Sequence, residues 1–570
     1  MASHAPPSAA TPPTSAFSVW QRVFRGYGPL AVFAVLLVVM ALVVPSTVPK
    51  TTGLTAASTG SGTAYTPGQL ASGSSSASGP ASTAGTHSST SSSSKVTTPG
   101  GSVTSGASGS TTAPGVVSSC AGEQVPGDPY SPPCISFSGS NGGATSKGVT
   151  ANAINISYRV TDDQSFQQTL AQLAGASLQD TNADTERTIT TLAQYFNTHF
   201  QFYGRKMVIN FFNGQGSLTN ELQGNGQAQA DADALTVGQQ MKAFGDISAE
   251  SEPYADALER QGVLGFGDPY MSAEWHEQHA PYDWSIAVDG TVVASLSADY
   301  ALQKLCPAGT PAAYAGGSLK NAPRKFATLA PENSFYQESV DVSRNMLTQG
   351  GCNPGDNVEY ALDLGTESNQ ATNIIAKLQS DGVTTILCGC DPIIPVFLSG
   401  VAARQNYFPE FIITGTALTD ADIVGQLWNP AFTAHAFGIS PSEAEVPSTQ
   451  TVGYEAYKTV RSDEPAFYVD LIYEQMDMLA IGLQMAGPDL TPENFMKGMF
   501  AYPAKLGPDG LWQFSPSEFT APDDVREICW SPTTISPYNQ KEGAYIGTSN
   551  ARWTLGQIPK GPPGCPIPTS

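Results

Sequence analysis

The chain is 570 residues long and carries 26 Lys/Arg against 49 Asp/Glu, a formal net charge of −23. Five of the basic and two of the acidic residues precede residue 148, so residues 148–570 alone hold 21 basic and 47 acidic side chains, a net charge of −26. A surface of that sign repels phosphate backbones, which excludes nucleic acid as a partner, and it favours solubility.

Residues 1–26 read as a cytoplasmic N-terminal tail. YGPLAVFAVLLVVMALVV (27–44) is uncharged and almost wholly apolar. As a helix it spans about 27 Å, enough for a bilayer core. Arg22 and Arg25 before it hold the N-terminus on the cytoplasmic side. The long leader and the lack of a small-x-small cleavage site favour a transmembrane anchor over residues 27–45 rather than a cleaved signal segment. On either reading everything after residue 46 is exported. Residues 46–147 are rich in Ser, Thr, Gly, Ala and Pro and have too little apolar content to offset ordering entropy, so they read as a disordered linker. From Ser46 to Cys120 such a coil measures about 50 Å end to end.

From Gly148 apolar strand-like runs alternate with amphipathic helical stretches. INISYRV (154–160) precedes a helix in which Ile189, Leu192, Tyr195 and Phe196 keep helical spacing. MVINFF (207–212), a helix around AQADADALTVGQQM, a short strand near AFGDI, the helix YADALERQG and the strand VLGFGD follow. DGTVVASLSADYALQKL leads into a second series: FATLAPE, SFYQESVDVSRNMLTQG, VEYALDL, NQATNIIAKLQSDG, TTILCGC, IIPVFLSGVAARQ and EFIITG. Two runs of strand, helix, strand argue for an α/β fold of two doubly wound parallel-sheet lobes. The expected division is lobe one at about 148–300 plus part of 467–570, and lobe two at about 306–466. FYVDLIYEQMDMLAIGLQMAG (467–487) reads as a long apolar-faced helix, and GLWQFSPSEF with VREICWSP as a terminal hairpin.

The order of GVTANAINISYRV, FGDISAESEPYADALERQGVLGFGD, YDWSIAVDGTVVASLSADYAL and TTILCGCDPIIPVFLSGVAARQNYFPEFIITG resembles the type 1 periplasmic binding proteins, specifically the branched-chain amino acid/amide substrate-binding proteins of ABC importers. The resemblance covers most of residues 148–530. It implies two lobes joined by hinge strands that close on a small ligand, with an ABC permease in the membrane as partner and a monomeric binding domain.

TTILCGC ends a strand, and Asp391 with Pro392 opens the next helix, so Cys388-Gly389-Cys390 borders the expected cleft. Metal binding would need further ligands nearby in sequence, and redox chemistry normally uses a C-x-x-C spacing. In an exported chain the eight cysteines are disulfide candidates. Local pairing gives Cys120–Cys134, Cys306–Cys352, Cys388–Cys390 and Cys529–Cys565.

No nucleophile elbow, Walker A sequence or complete dinucleotide fingerprint is present. Trp275-His276-Glu277-Gln278-His279 is H-E-x-H, one residue short of the zincin helix spacing. It reads as a polar segment with no metal, and the chain as no enzyme and free of cofactors. Ligand-binding candidates lie on the loops after strands. In lobe one these are Asp162, Ser248, Glu250, Ser251, Asp268 and Tyr270. In lobe two they are Asn333, Phe335, Tyr336, Asp391, Thr414 and Thr416. Ser248 and Ser251, opening a helix, suit a ligand carboxylate. In amino-acid-binding members of the resembling family an acid early in the helix after this strand receives the α-ammonium, and here Ile393 and Ile394 fall at that place. Glu250 disfavours an anion, so an apolar, amide-like or cationic ligand fits as well as an amino acid. The resulting expectation is an extracytoplasmic solute-binding protein. A ligand sensor and a degenerate, non-binding surface module are its alternatives.

Overall fold

The computed structural model describes residues 122–161, 180–268, 270–307 and 309–568. The apolar run 27–44, the linker up to residue 121, Asp162 and Cys120 lie outside the described residues. Among the described residues no helix is long and apolar enough to cross a membrane.

The first sheet is parallel, with β1 (Ala153–Val160), β2 (Lys206–Asn213), β3 (Gly245–Asp246), β4 (Leu264–Phe266) and β5 (Asp283–Trp284) in the order β2-β1-β3-β4-β5. β1 pairs with β2 from Ala153 opposite Lys206 to Val160 opposite Asn213. Parallel neighbours require crossovers, and helices such as Asn182–His199 and Glu252–Arg260 supply them. Helix Asn182–His199 starts at a capping box, with the Thr181 N–H donating to Asp184 Oδ2 at 2.8 Å. It buries Ile189, Leu192, Tyr195 and Phe196, the face its spacing predicts. That face packs on helix Val469–Met485.

The second sheet holds β6 (Phe326–Pro331), β7 (Asp356–Tyr360), β8 (Thr385–Cys388), β9 (Glu410–Ile413) and β10 (Ala436–Ser440), all parallel where they pair. A separate small hairpin joins β11 (Lys505–Gly507) to β12 (Gly510–Trp512). The chain then returns to the second sheet as β13 (Arg526–Ile535) and β14 (Glu542–Gly547), antiparallel additions beside β10. The full order is β14-β13-β10-β9-β8-β6-β7. The two stretches read as a terminal hairpin therefore do not pair with each other. GLW turns back on Lys505–Gly507 and REICW joins lobe two, because β10 offers an open edge that the strongly apolar Ile528 and Cys529 can bury against.

Three stretches cross between lobes, at 285–289, 441–451 and 520–525. The first and third are bonded side by side: Ser285 bridges Thr520, Ala521 N–H donates to Ser285 O at 3.3 Å, and Asp289 N–H donates to Thr520 Oγ1 at 3.1 Å. The second is held by Arg526, which donates to Ser442 O at 2.9 Å and Glu443 O at 2.6 Å. These crossings place the boundaries differently from the composition. Helix Gly290–Lys304 packs with lobe two, sharing a core with Phe326 and Phe437, whereas Val452–Val460 joins lobe one through Ala456 and Tyr457.

Residues 122–147, assigned to the linker on composition, are folded onto lobe one. Tyr130 stacks on Trp512 with ring centroids 4.4 Å apart, and its hydroxyl donates to Gly510 O at 2.9 Å. A few anchoring contacts of this kind are invisible to a composition average. Cys306–Cys352, Cys388–Cys390 and Cys529–Cys565 are paired as local pairing expects. Cys134 is also disulfide-bonded.

Tyr130 is buried, with 6% exposure, so Tyr130→Ala should destabilise lobe one by about 3–5 kcal/mol. The measurement is the shift in urea midpoint, and an unchanged midpoint would show that residues 122–147 contribute nothing to the core.

Candidate ligand-binding cleft

Residues after the strands of both sheets converge on a cavity of about 640 Å³, inside the range of roughly 300–1,000 Å³ usual for small-molecule sites. Lobe one brings Tyr158 and Arg159 from the end of β1, Ser248 and Glu250 from the loop after β3, and Tyr270. Lobe two brings Tyr336, Glu367, Asp391 and Asp420. All three crossings touch it, through Ser285–Val288, Glu443 with Glu445, and Pro522.

Arg159 organises the lobe-one wall. Its guanidinium makes a two-pronged pair with Glu221 at 2.9 and 2.7 Å and reaches Asp233 at 3.4 Å. The Tyr254 ring stacks 3.6 Å away. All of these groups are buried. The Arg159 backbone N–H donates to Ser248 Oγ at 2.7 Å, and that hydroxyl donates onward to Asp246 at 2.6 Å. Ser251 likewise donates to Glu221 at 2.5 Å. The two serines expected to receive a ligand carboxylate are thus committed to the wall itself: Ser248 reaches the cavity with its hydroxyl already engaged, and Ser251 stands behind it.

Glu250, Tyr270, Tyr336 and Asp391 of the expected set line the cavity. Asp391 Oδ2 accepts the Tyr360 hydroxyl at 2.6 Å, and Oδ1 accepts the N–H groups of Ile393 and Ile394, so it caps the next helix while facing the cleft. Tyr270 crosses the seam, its hydroxyl accepting the Ala417 N–H at 2.5 Å. Asn333 makes a second seam contact, donating to Leu222 O at 3.1 Å, and Phe335 packs with Met271 and Tyr336. Thr414 and Thr416 bond each other at 2.8 Å in a separate pocket of about 50 Å³ bordered by Tyr270 and Tyr336. Asp268 is fully buried and lines neither space. Cys388 and Cys390 belong to the lobe-two core, and the cleft rim begins at Asp391.

The sequence reading missed most of the charge. Nine carboxyl side chains line the cavity, and Arg159 is the one basic side chain among the described lining residues. Glu367, Asp420, Glu474 and Asp509 come from segments far apart in sequence, and no local motif marks them. Glu367 Oε2 and Asp420 Oδ1 are buried without a hydrogen-bond partner. Burial, with Asp391 and Asp363 nearby, pushes the Glu367 carboxyl up to about 9. Burial and neighbouring acids push Glu443 up to about 8 and Glu445 up to about 7, and raise Glu474 well above the carboxylate range. Tyr158, Tyr270, Tyr336, Tyr468 and Trp512 add aromatic surface. Gly267, at φ +121°, lets Gln475 approach, since a Cβ there would lie 2.6 Å from Gln475 Nε2.

No protein-family model matches the chain, and no curated protein matches it by sequence. Solved structures do share its fold. The solute-binding protein of an ABC transporter from R. palustris, in complex with 4-hydroxybenzoate, matches at TM-score 0.50 and 10% identity, covering 71% of this chain and 98% of its own. A fatty acid ABC transporter substrate-binding protein from Thermomonospora curvata matches at TM-score 0.49 and 13% identity, covering 73% and 97%. The branched-chain amino acid transporter protein LivJ from Streptococcus pneumoniae, in complex with isoleucine, matches at TM-score 0.46 and 11% identity, covering 70% and 100%. The fold is that of the type 1 periplasmic binding proteins.

The raised carboxyls fix the sign of a stability profile. Between about pH 4.5 and their folded values, Glu367, Glu443 and Glu445 hold more protons folded than unfolded, so stability falls as pH rises through that window. Ligand-free protein should resist urea better at pH 5.5 than at pH 8.5 at fixed ionic strength. Glu367→Gln should flatten part of the slope, and a flat wild-type profile would show that these acids are already ionised in the empty cleft.

Proposed function

We propose that the chain is an extracytoplasmic solute-binding protein that captures a small organic cation between its lobes and presents it to an ABC permease. The carrying observation is the inter-lobe cavity, in which nine carboxyls face one arginine already neutralised by Glu221 and Asp233. A carboxylate ligand such as the benzoate or fatty acid named for the structural neighbours would enter a site with no free positive group to receive it. An ammonium ligand would meet Glu367, Asp391 and Asp420 on one lobe, Glu250 and Glu474 on the other, and aromatic faces suited to cation–π contact. The apolar segment 27–45 serves in this reading as the export signal or anchor. The paired cysteines of the folded part suit an oxidising compartment.

The test is a thermal-shift panel on the full chain with putrescine, spermidine, choline, isoleucine and 4-hydroxybenzoate. One or more of the cations should stabilise, by about 2.7 kcal/mol at a concentration 100-fold above Kd, and the two carboxylate-bearing compounds should not. Stabilisation by 4-hydroxybenzoate alone would overturn the cationic reading. A flat panel together with an unchanged scattering profile would favour a non-binding module.

Cation binding draws protons off the raised carboxyls, so affinity should rise between pH 6 and pH 8 and binding should release protons. Calorimetry in two buffers of different ionisation enthalpy measures the release directly. Glu367→Gln and Asp420→Asn should each weaken binding by roughly tenfold or more, about 1.4 kcal/mol per decade.

A further inference from the structure

We propose that Asp268, His276 and Asp283 form a buried site for a first-row divalent metal ion, with Zn²⁺ the favoured occupant. The three side chains come from separate segments: the loop after β4, the helix Ala273–His279, and the first position of β5. One donor atom from each lies within 4.8 Å of the other two. They are 0%, 1% and 2% exposed.

Their hydrogen-bonding state sets them apart from an ordinary buried ion pair. Both carboxylate oxygens of Asp268, both of Asp283 and both ring nitrogens of His276 lack an aligned hydrogen bond. His276 Nδ1 stands 2.5 Å from Asp283 Oδ2, close enough for attraction but out of line for a proper bond. So many buried polar atoms without an aligned partner in one place are rare in a native interior, and the Asp268 and Asp283 carboxyls lie close enough to share a proton. The ionisable groups around the two carboxyls are His276, 2.5 Å from Asp283, and Glu259, with no Lys or Arg among them. Two carboxylates and a neutral imidazole supply a charge of −2, which one divalent cation balances.

One nitrogen and two carboxylates form a donor set suited to Zn²⁺, whereas Ca²⁺ seeks six or more oxygens and Mg²⁺ retains several waters. The H-E-x-H spacing noticed in the sequence divides its histidines. His279 stacks on Trp275 at 3.7 Å and faces Asp256 and Glu259 on a half-exposed surface, so it contributes no donor to this cluster. The site lies outside the cavity lining yet tied to it: Gly267 and Tyr270 flank Asp268 and face the cleft, and Asp283 leads into the first crossing. A metal here pins the Tyr270 loop to β5 and braces the lobe-one wall, a role that does not depend on which solute the cleft holds.

The experiment is elemental analysis of the full chain purified without chelators, followed by Zn²⁺ titration of the chelator-treated chain. We expect about one equivalent of a transition metal per chain, a 1:1 isotherm, and a melting temperature that falls on stripping and returns with Zn²⁺. Asp268→Asn, which keeps the side-chain shape, should lose the stoichiometric metal and the Zn²⁺-dependent gain in melting temperature; His279→Gln should lose neither. Should His276→Gln fail to fold, Co²⁺ loaded into the stripped wild-type chain gives an independent readout, a visible absorption band of tetrahedral His/carboxylate ligation. Substoichiometric metal with no 1:1 Zn²⁺ isotherm would overturn the site in favour of shared protons, and metal lost on His279→Gln would overturn it in favour of the half-exposed cluster. Neither result bears on solute binding, which the thermal-shift panel reads separately.

Discussion

The buried Arg159–Glu221–Asp233 cluster is the constraint from which the cleft follows. A guanidinium taken out of water needs both charge and hydrogen bonds around it, and removing either would leave an uncompensated buried ion. Here β1 delivers Arg159, helix Leu218–Leu222 delivers Glu221, and Asp233 also accepts the N–H groups of Gln215 and Gly216. One ion cluster thereby fixes the ends of β1 and β2 and, through Ser248 and Ser251, the start of the helix that follows β3. The wall is held together by bonds among its own charged groups and hydroxyls, with only the Arg159 Nε of the guanidinium left without a partner.

That same neutralisation determines what the cavity offers a ligand. With the charge of Arg159 matched by Glu221 and Asp233, no other positive side chain among the described lining residues remains to pair with an incoming anion, and Arg526 and Arg552, outside the lining, only partly offset the surrounding carboxyls. Desolvation of each acid is compounded by its neighbours, which is why Glu367, Glu443 and Glu445 all shift upward. Acids crowded like this relax by taking up protons or by accepting a cation, and only the second exploits their arrangement on opposing lobes.

Much of the fold is legible in the sequence and little of the charge is. INISYRV reads as a strand because Ile154, Ile156, Tyr158 and Val160 alternate with polar residues, and Ile189, Leu192, Tyr195 and Phe196 announce their helix by spacing alone. Asp391 is recognisable as a cap because capping is local. Tyr130 is not recognisable as core, since its stacking partner Trp512 lies far along the chain. Glu367, Asp420 and Glu474 stay hidden for the same reason: an acid on a helix face looks solvated until the other lobe covers it. Ser248 and Ser251 follow β3, but a sequence cannot show that their hydroxyls are already engaged.

In the proposed reading the placement of the carboxyls also links occupancy to the crossings between the lobes. Glu443 and Glu445 sit on the second crossing itself, while Glu250 with Glu474 and Glu367 with Asp420 face one another from separate lobes. Like charges across the gap oppose approach as the acids ionise, and a cation between them turns that repulsion into attraction for both lobes at once. The direct seam contacts, Tyr270 to Ala417 and Asn333 to Leu222, are few and polar. On the proposed reading, closure is governed by the charge in the cavity more than by the contacts at its lip, and a cation supplies the attraction that draws the lobes together.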